Sequence, residues 1–185
     1  MHRRSARWHA VAPLLVVVLS FSACVARPVQ HAEPHWVRRG EGVFWDTTAI
    51  YGVGTSDARD TPTDARPIKI LRQTADRRAR AQVATALDAY VGQLFQSAGL
   101  NGNDSTASAD EMQAIHTAIL SEGVIVQRWV DPFSEAVYSL FRIDRQRISG
   151  AIMTAGQRDE AGMRRVAAQA DAIFERLRQQ GTPWR

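Results

Sequence analysis

Between Ile68 and Ser97 the sequence reads IKILRQTADRRARAQVATALDAYVGQLFQS, and this stretch decides the fold. Ala75, Ala79, Val83, Ala86, Leu87, Tyr90, Val91 and Leu94 recur at three- and four-residue steps, which sets them on one stripe of an α-helix. Small alanines fill the first half of that stripe, so the helix backbone can approach a sheet closely. Pro67 suits the start of such a helix, where its missing N–H leaves nothing unsatisfied. Gly99 and the polar stretch Asn101–Thr106 end it.

The segments on either side supply the sheet. Val43-Phe44-Trp45 and Ala49-Ile50-Tyr51-Gly52-Val53-Gly54 are short, rich in β-branched and aromatic residues, and read as strands. Ser56–Pro67 is turn-rich and without an apolar pattern. After the long helix, a shorter one is expected from Ser108, with Glu111 completing a capping box and Met112, Ile115 and Ile119 on its buried side. Val124–Val130 and Ala136–Ile143, joined by Asp131–Glu135, predict an antiparallel hairpin. Strict alternation there puts Ile125, Gln127 and Trp129 on one face and Val124, Val126, Arg128 and Val130 on the other. Ile148–Met153 and Asp159–Gln180 read as helices. In the second, Met163, Val166, Ala170, Ile173, Phe174 and Leu177 form a stripe, acids lead, arginines close, and Gly181 and Pro183 stop it. The order predicts an α+β domain: a small antiparallel sheet packed against one long helix, with an additional C-terminal helix.

The chain has 185 residues, 45% hydrophobic and 23% charged, which excludes a disordered or collagen-like protein and leaves room for one core. The net charge of +4 is uneven. Arg3, Arg4 and Arg7 stand near the start with no acid among the first 23 residues, so the remainder is close to balanced. Met1–His9 is basic, Ala10–Phe21 (AVAPLLVVVLSF) is a twelve-residue apolar run, and Ser22, Ala23 and Cys24 follow. A basic start, a short apolar stretch and small residues at its end predict a secretory signal peptide. A membrane span needs about 20 apolar residues, more than this run has.

Phe21-Ser22-Ala23-Cys24 resembles the lipobox of bacterial lipoproteins, with Phe21 where that pattern prefers leucine. The resemblance implies that the Cys24 thiol takes a diacylglyceryl group before cleavage and that the freed amine is then acylated. Cys24 is the sole cysteine, so no disulfide within the chain can use it, and lipidation accounts for an exported free thiol. Val25 and Ala26 follow, with no aspartate of the kind that marks inner-membrane retention. The expected organisation is a signal peptide over 1–23, a tether over 24–42, an α+β domain over 43–148 and a C-terminal helical extension over 149–185. Trp36 is expected to cap the domain edge.

Trp36, Tyr51-Gly52-Val53-Gly54, Ala75, Ala79-Arg80 and Val83-Ala84, then Trp129 and Val137-Tyr138, following an exported lipoprotein start, together resemble the Lpp-twenty lipoprotein family. Its members are small envelope lipoproteins and related proteins of the flagellar base. The resemblance spans Trp36 to Ile143 and implies a dodecin-like sheet-and-helix domain with no established catalytic residue to carry over.

Patterns that carry chemistry elsewhere fall short here. Gly52-Val53-Gly54 begins like a dinucleotide fingerprint, but Asp57 replaces the third glycine and a loop follows; glycines admitting a close helix are the better account. His31 and His35 have metal spacing in a proline-containing segment without further ligands nearby, so no metal site is expected. His116 is the one histidine of the folded region, and no nucleophile motif accompanies it, so no catalytic residues are assigned. Arg77, Arg78, Arg80, Arg164 and Arg165 lie in a balanced chain with almost no lysine, which speaks against nucleic acid. Arg72, Asp76 and Arg80 share a helical face, and Asp76 with Arg80 is expected to form a structural ion pair.

The sequence thus predicts a non-enzymatic, cofactor-free lipoprotein of the outer membrane, facing the periplasm and acting by assembly. Its partners would be the membrane, through the lipid, and either further copies of itself or other envelope proteins. The alternative is a binding module holding a small apolar ligand between helix and sheet, lined by Trp129, Tyr138 and Phe141.

Overall fold

The structure, a computed structural model, describes residues 32–60, 68–100, 105–155 and 160–180. Strands β1 (Gly42–Trp45) and β2 (Ala49–Ser56) are followed by helices α1 (Ile68–Ser97) and α2 (Ser105–Ser121). Strands β3 (Val124–Val130) and β4 (Val137–Asp144) come next, then helices α3 (Arg145–Ala155) and α4 (Glu160–Gln180). The sheet is antiparallel throughout in the order β1-β2-β4-β3, so β2 and β4 are central although two helices and a strand separate them in the chain. The α+β architecture with one dominant helix and a C-terminal helix is the one the sequence predicts.

Local chemistry explains the connections. Between β1 and β2 the Asp46 carboxylate accepts from Thr48 N at 2.7 Å, Thr48 Oγ1 at 2.8 Å and Ala49 N at 2.8 Å, closing the turn with one side chain. Helix α1, about 45 Å long at 1.5 Å per residue, covers one face of the sheet. A Cβ on Gly54 would collide with Ala79 N and Ala75 O, and one on Gly52 would lie 2.7 Å from Val83 Cγ2. The glycines and alanines are therefore matched across the interface, and larger side chains at either would push helix from sheet. Beyond this dry seam, Ile50, Phe141 and Ile143 of the sheet pack with Val83, Leu87, Tyr90 and Leu94 of α1.

Four expectations need correction. Helix α2 begins at Ser105, so Ser108 lies inside it and is not its cap. A β-bulge between Ile125 and Gln127 breaks the alternation of β3: Ile125 lies opposite Phe141 and Gln127 opposite the next residue, Leu140. Ile125 thus faces the helices, while Gln127 and Trp129 face away and Arg128 turns inward. The segment before β1 is not all tether, because Trp36 and Val37 are buried, 8% and 4% exposed, against Val53 and Leu140. Finally, the chain after Ile148 is no appendage. Met163, Val166, Ala170, Ile173 and Phe174 of α4 belong to the same core as α1, and the buried Tyr90 hydroxyl donates to Ala170 O at 3.0 Å. The α4 stripe is filled from within the domain. Burial pushes the Tyr90 hydroxyl pKa up, with the Asp171 charge adding to it.

Candidate functional site

Cys24 and the segment 1–23 expected to be a signal peptide lie outside the described residues, as does His31. His35 is exposed. Among the described residues no group of three or more His, Cys, Asp and Glu is placed to hold a metal, and no helix is long and apolar enough to cross a membrane.

The most concentrated polar cluster centres on Asp76 of α1. Arg128 of β3 donates to both of its oxygens, Nε to Oδ1 at 2.9 Å and Nη2 to Oδ2 at 2.7 Å, and the fully buried Ser139 hydroxyl of β4 donates to Oδ1 at 2.7 Å. Burial by itself would raise this carboxyl. The hydrogen bonds from Arg128 and Ser139, with the charges of Arg128 and Arg72, outweigh it and hold the pKa below the ordinary 3.8. The cluster clamps helix to sheet above the Gly54 seam. It also corrects the expected pair: Asp76 is occupied by Arg128, and Arg80 instead directs Nη2 to Leu120 O at 3.4 Å with its guanidinium 5.7 Å from the Phe141 ring centre. A spacing of four set Arg80 on the same helical face as Asp76, but the sheet lies on the side of Asp76 that Arg128 reaches. Only the bulge at Val126 turns Arg128 inward, and Asp76 and Arg128 are 52 positions apart. The signal available in the sequence was an arginine in a mostly apolar strand.

The outer face of the sheet is aromatic. Phe44 and Tyr51 stack with ring centres 4.7 Å apart, Arg39 lies 4.7 Å from the Phe44 centre and Arg142 5.8 Å from that of Tyr51, so cations cap both ends of the pair. Trp129 and Tyr138 make a second, tilted pair at 5.5 Å. Between the two pairs sit Val53 and Leu140 under Trp36, whose indole N–H donates to Gln127 Oε1 at 2.6 Å. Phe141 is on the opposite, helix-facing side. Trp129, Tyr138 and Phe141 therefore do not line one site, which removes the lining expected for an apolar ligand.

His116 ties α2 to α1. Its Nε2 lies 3.0 Å from Ala84 O, an acceptor only, so that nitrogen carries the proton; Asp88 Oδ1 stands 3.4 Å away. Arg78 is likewise structural, donating to Thr55 O at 2.6 Å and to both Asp60 oxygens, which fastens the turn after β2 onto α1. Arg164 pairs with Glu160 along α4 at 3.4 Å.

Sequence reasoning read the β3–β4 connection as a hairpin loop and assigned it no site. Asp131 Oδ1 accepts from Phe133 N at 2.9 Å, Ser134 Oγ donates to Oδ2, Asp131 N donates to Ala136 O at 2.8 Å, and Glu135 adopts φ +58°. This tightly wired turn holds Phe133 almost entirely in solvent, 92% exposed. No family model matches the chain, and no curated protein matches it.

Proposed function

We propose that the chain is a lipid-anchored, non-catalytic lipoprotein of the Lpp-twenty type, held in the outer membrane by Cys24 with its α+β domain in the periplasm, where it acts by assembly. The observation that carries the reading is Cys24 itself: the sole cysteine, placed after small residues at the end of a basic-then-apolar leader. Each buried methylene is worth about 0.8 kcal/mol, and two acyl chains suffice for stable anchoring. A lipidated cysteine thus fixes location, and the domain becomes a module displayed at a membrane surface. The polar clusters support a structural role for that module, because Asp76, Arg78, Arg128 and Arg145 are each engaged in holding elements together. The family resemblance adds the flagellar base as a place where such a module would serve.

Cys24→Ser tests the anchor. Envelope fractionation should recover the parent chain with the outer membrane and release the variant from it or leave its leader uncleaved. Identical distribution of the two would overturn the reading. Crosslinking in cells followed by capture of the anchored chain should then retrieve envelope proteins or further copies of itself.

A further inference from the structure

Four exposed apolar side chains gather at one place. Among the described residues, seven large hydrophobic residues are exposed, and Ile68, Ile70, Val130 and Phe133 lie at one end of the domain. Leu71, one position after Ile70, packs with Val137 at the start of β4, and Val130 is the strand partner of Val137. The first turn of α1 and the β3–β4 tip are therefore neighbours. Lys69 and Arg72 stand exposed on that same turn. Of the tip's two carboxylates, Asp131 is occupied by Phe133 N and the Ser134 hydroxyl, and Glu135 is exposed.

The chain also enters the domain at this end. Trp36, close behind the first described residue, donates to Gln127 of β3 at 2.6 Å, and its cluster takes in Trp129 and Tyr138 next to the hairpin tip. Tyr138 itself is the second residue of β4, paired with Trp129 and Thr55. Between Cys24 and the first described residue, Ala32, only Val25–His31 intervene. Fully extended, that segment reaches no more than about 28 Å at 3.3–3.6 Å per residue, less than the length of α1.

We propose that this end of the domain is a membrane-facing surface, with Phe133 entering the interfacial layer of the same phospholipid leaflet that holds the Cys24 lipid. The inference rests on the lipid-anchor reading. A short tether brings the end bearing Phe133, Ile68 and Ile70 to the bilayer, Phe133 is held outward by a rigid turn, and Lys69 and Arg72 suit anionic headgroups.

The test uses the full lipidated chain, whose Cys24 sulfur is a thioether and takes no thiol-directed probe. Phe133→Cys and, at the far end of α1, the exposed Gln96→Cys are each labelled with an environment-sensitive fluorophore. Both are floated with phosphatidylethanolamine–phosphatidylglycerol vesicles carrying nitroxide lipids. The expected result is quenching of the probe at 133 by the nitroxide lipids, at about 5–10 Å depth, with protection from iodide, and the reverse at 96. Flotation with equal iodide quenching at both positions would overturn the membrane contact while leaving the anchor intact. Protection of 133 from both quenchers would seat a second copy or another protein there and also overturn it. Labelling of the parent chain at Cys24, or failure to float, would overturn the anchor and this inference together.

Discussion

The two faces of the sheet are built on opposite terms. Toward α1 the sheet offers Gly52, Gly54 and the buried hydroxyl of Ser139, and helix and strand meet backbone to backbone. On the other side it offers Phe44, Tyr51, Trp129 and Tyr138, half-buried rings covered by a turn through Trp36 and Val37. At its Gly52–Gly54 seam the inner face is specified by smallness and has no room for an added atom. The outer face is specified by large, adaptable surfaces that share their contacts. The comparison teaches where the fold is brittle and where it is not.

The inner face should break first. Gly54→Val demands space held by the α1 backbone, and we expect loss of cooperative unfolding; even Gly54→Ala should cost about 3 kcal/mol, at the upper end for overpacking. Chemical denaturation followed by circular dichroism reads both. On the outer face Trp36→Ala should cost about 2–3 kcal/mol, below the 3–5 typical of a fully enclosed aromatic, because its neighbours remain partly covered by one another. The same denaturation curves check it. A Trp36 variant as damaging as Gly54→Val would erase the distinction between the faces.

The third prediction sharpens the inner face by pH. Asp76→Ala leaves the Ser139 hydroxyl dry and should cost about 1–2 kcal/mol near neutrality. The folded carboxyl titrates below its ordinary 3.8. Its stabilisation is therefore full above that value and is lost as pH falls through the lower, folded one. Parent and Asp76→Asn should accordingly converge in stability between about pH 5 and pH 2. A gap that stays constant over this range would remove Asp76 from the clamp.

The elements that could be read from sequence are those whose cause is local. The α1 stripe, the glycines under it and the β3–β4 hairpin follow from spacing and residue size over a few positions. The α4 stripe was equally legible, but not its occupant, since periodicity says that a face is buried and not what buries it. The bulge at Val126 has no signature in a run of alternating β-formers, yet it alone reverses Gln127 and Arg128 and so decides which cation meets Asp76. Trp36 was expected at the domain edge, whereas its bond to Gln127 spans 91 positions and depends on that same bulge. Long-range polar pairing was the part beyond reach of spacing. Phe133 was hidden for another reason, because one phenylalanine in a turn looks the same whether it folds inward or stands in water.

The claim that organises the rest is that Cys24 carries lipid, and intact-mass spectrometry of the chain purified from its own cells addresses it most directly. The account predicts a polypeptide beginning at Cys24 and heavier than its sequence by a diacylglyceryl group and an amide-linked acyl chain. A chain with an unmodified Cys24, whether or not the leader has been removed, would contradict it.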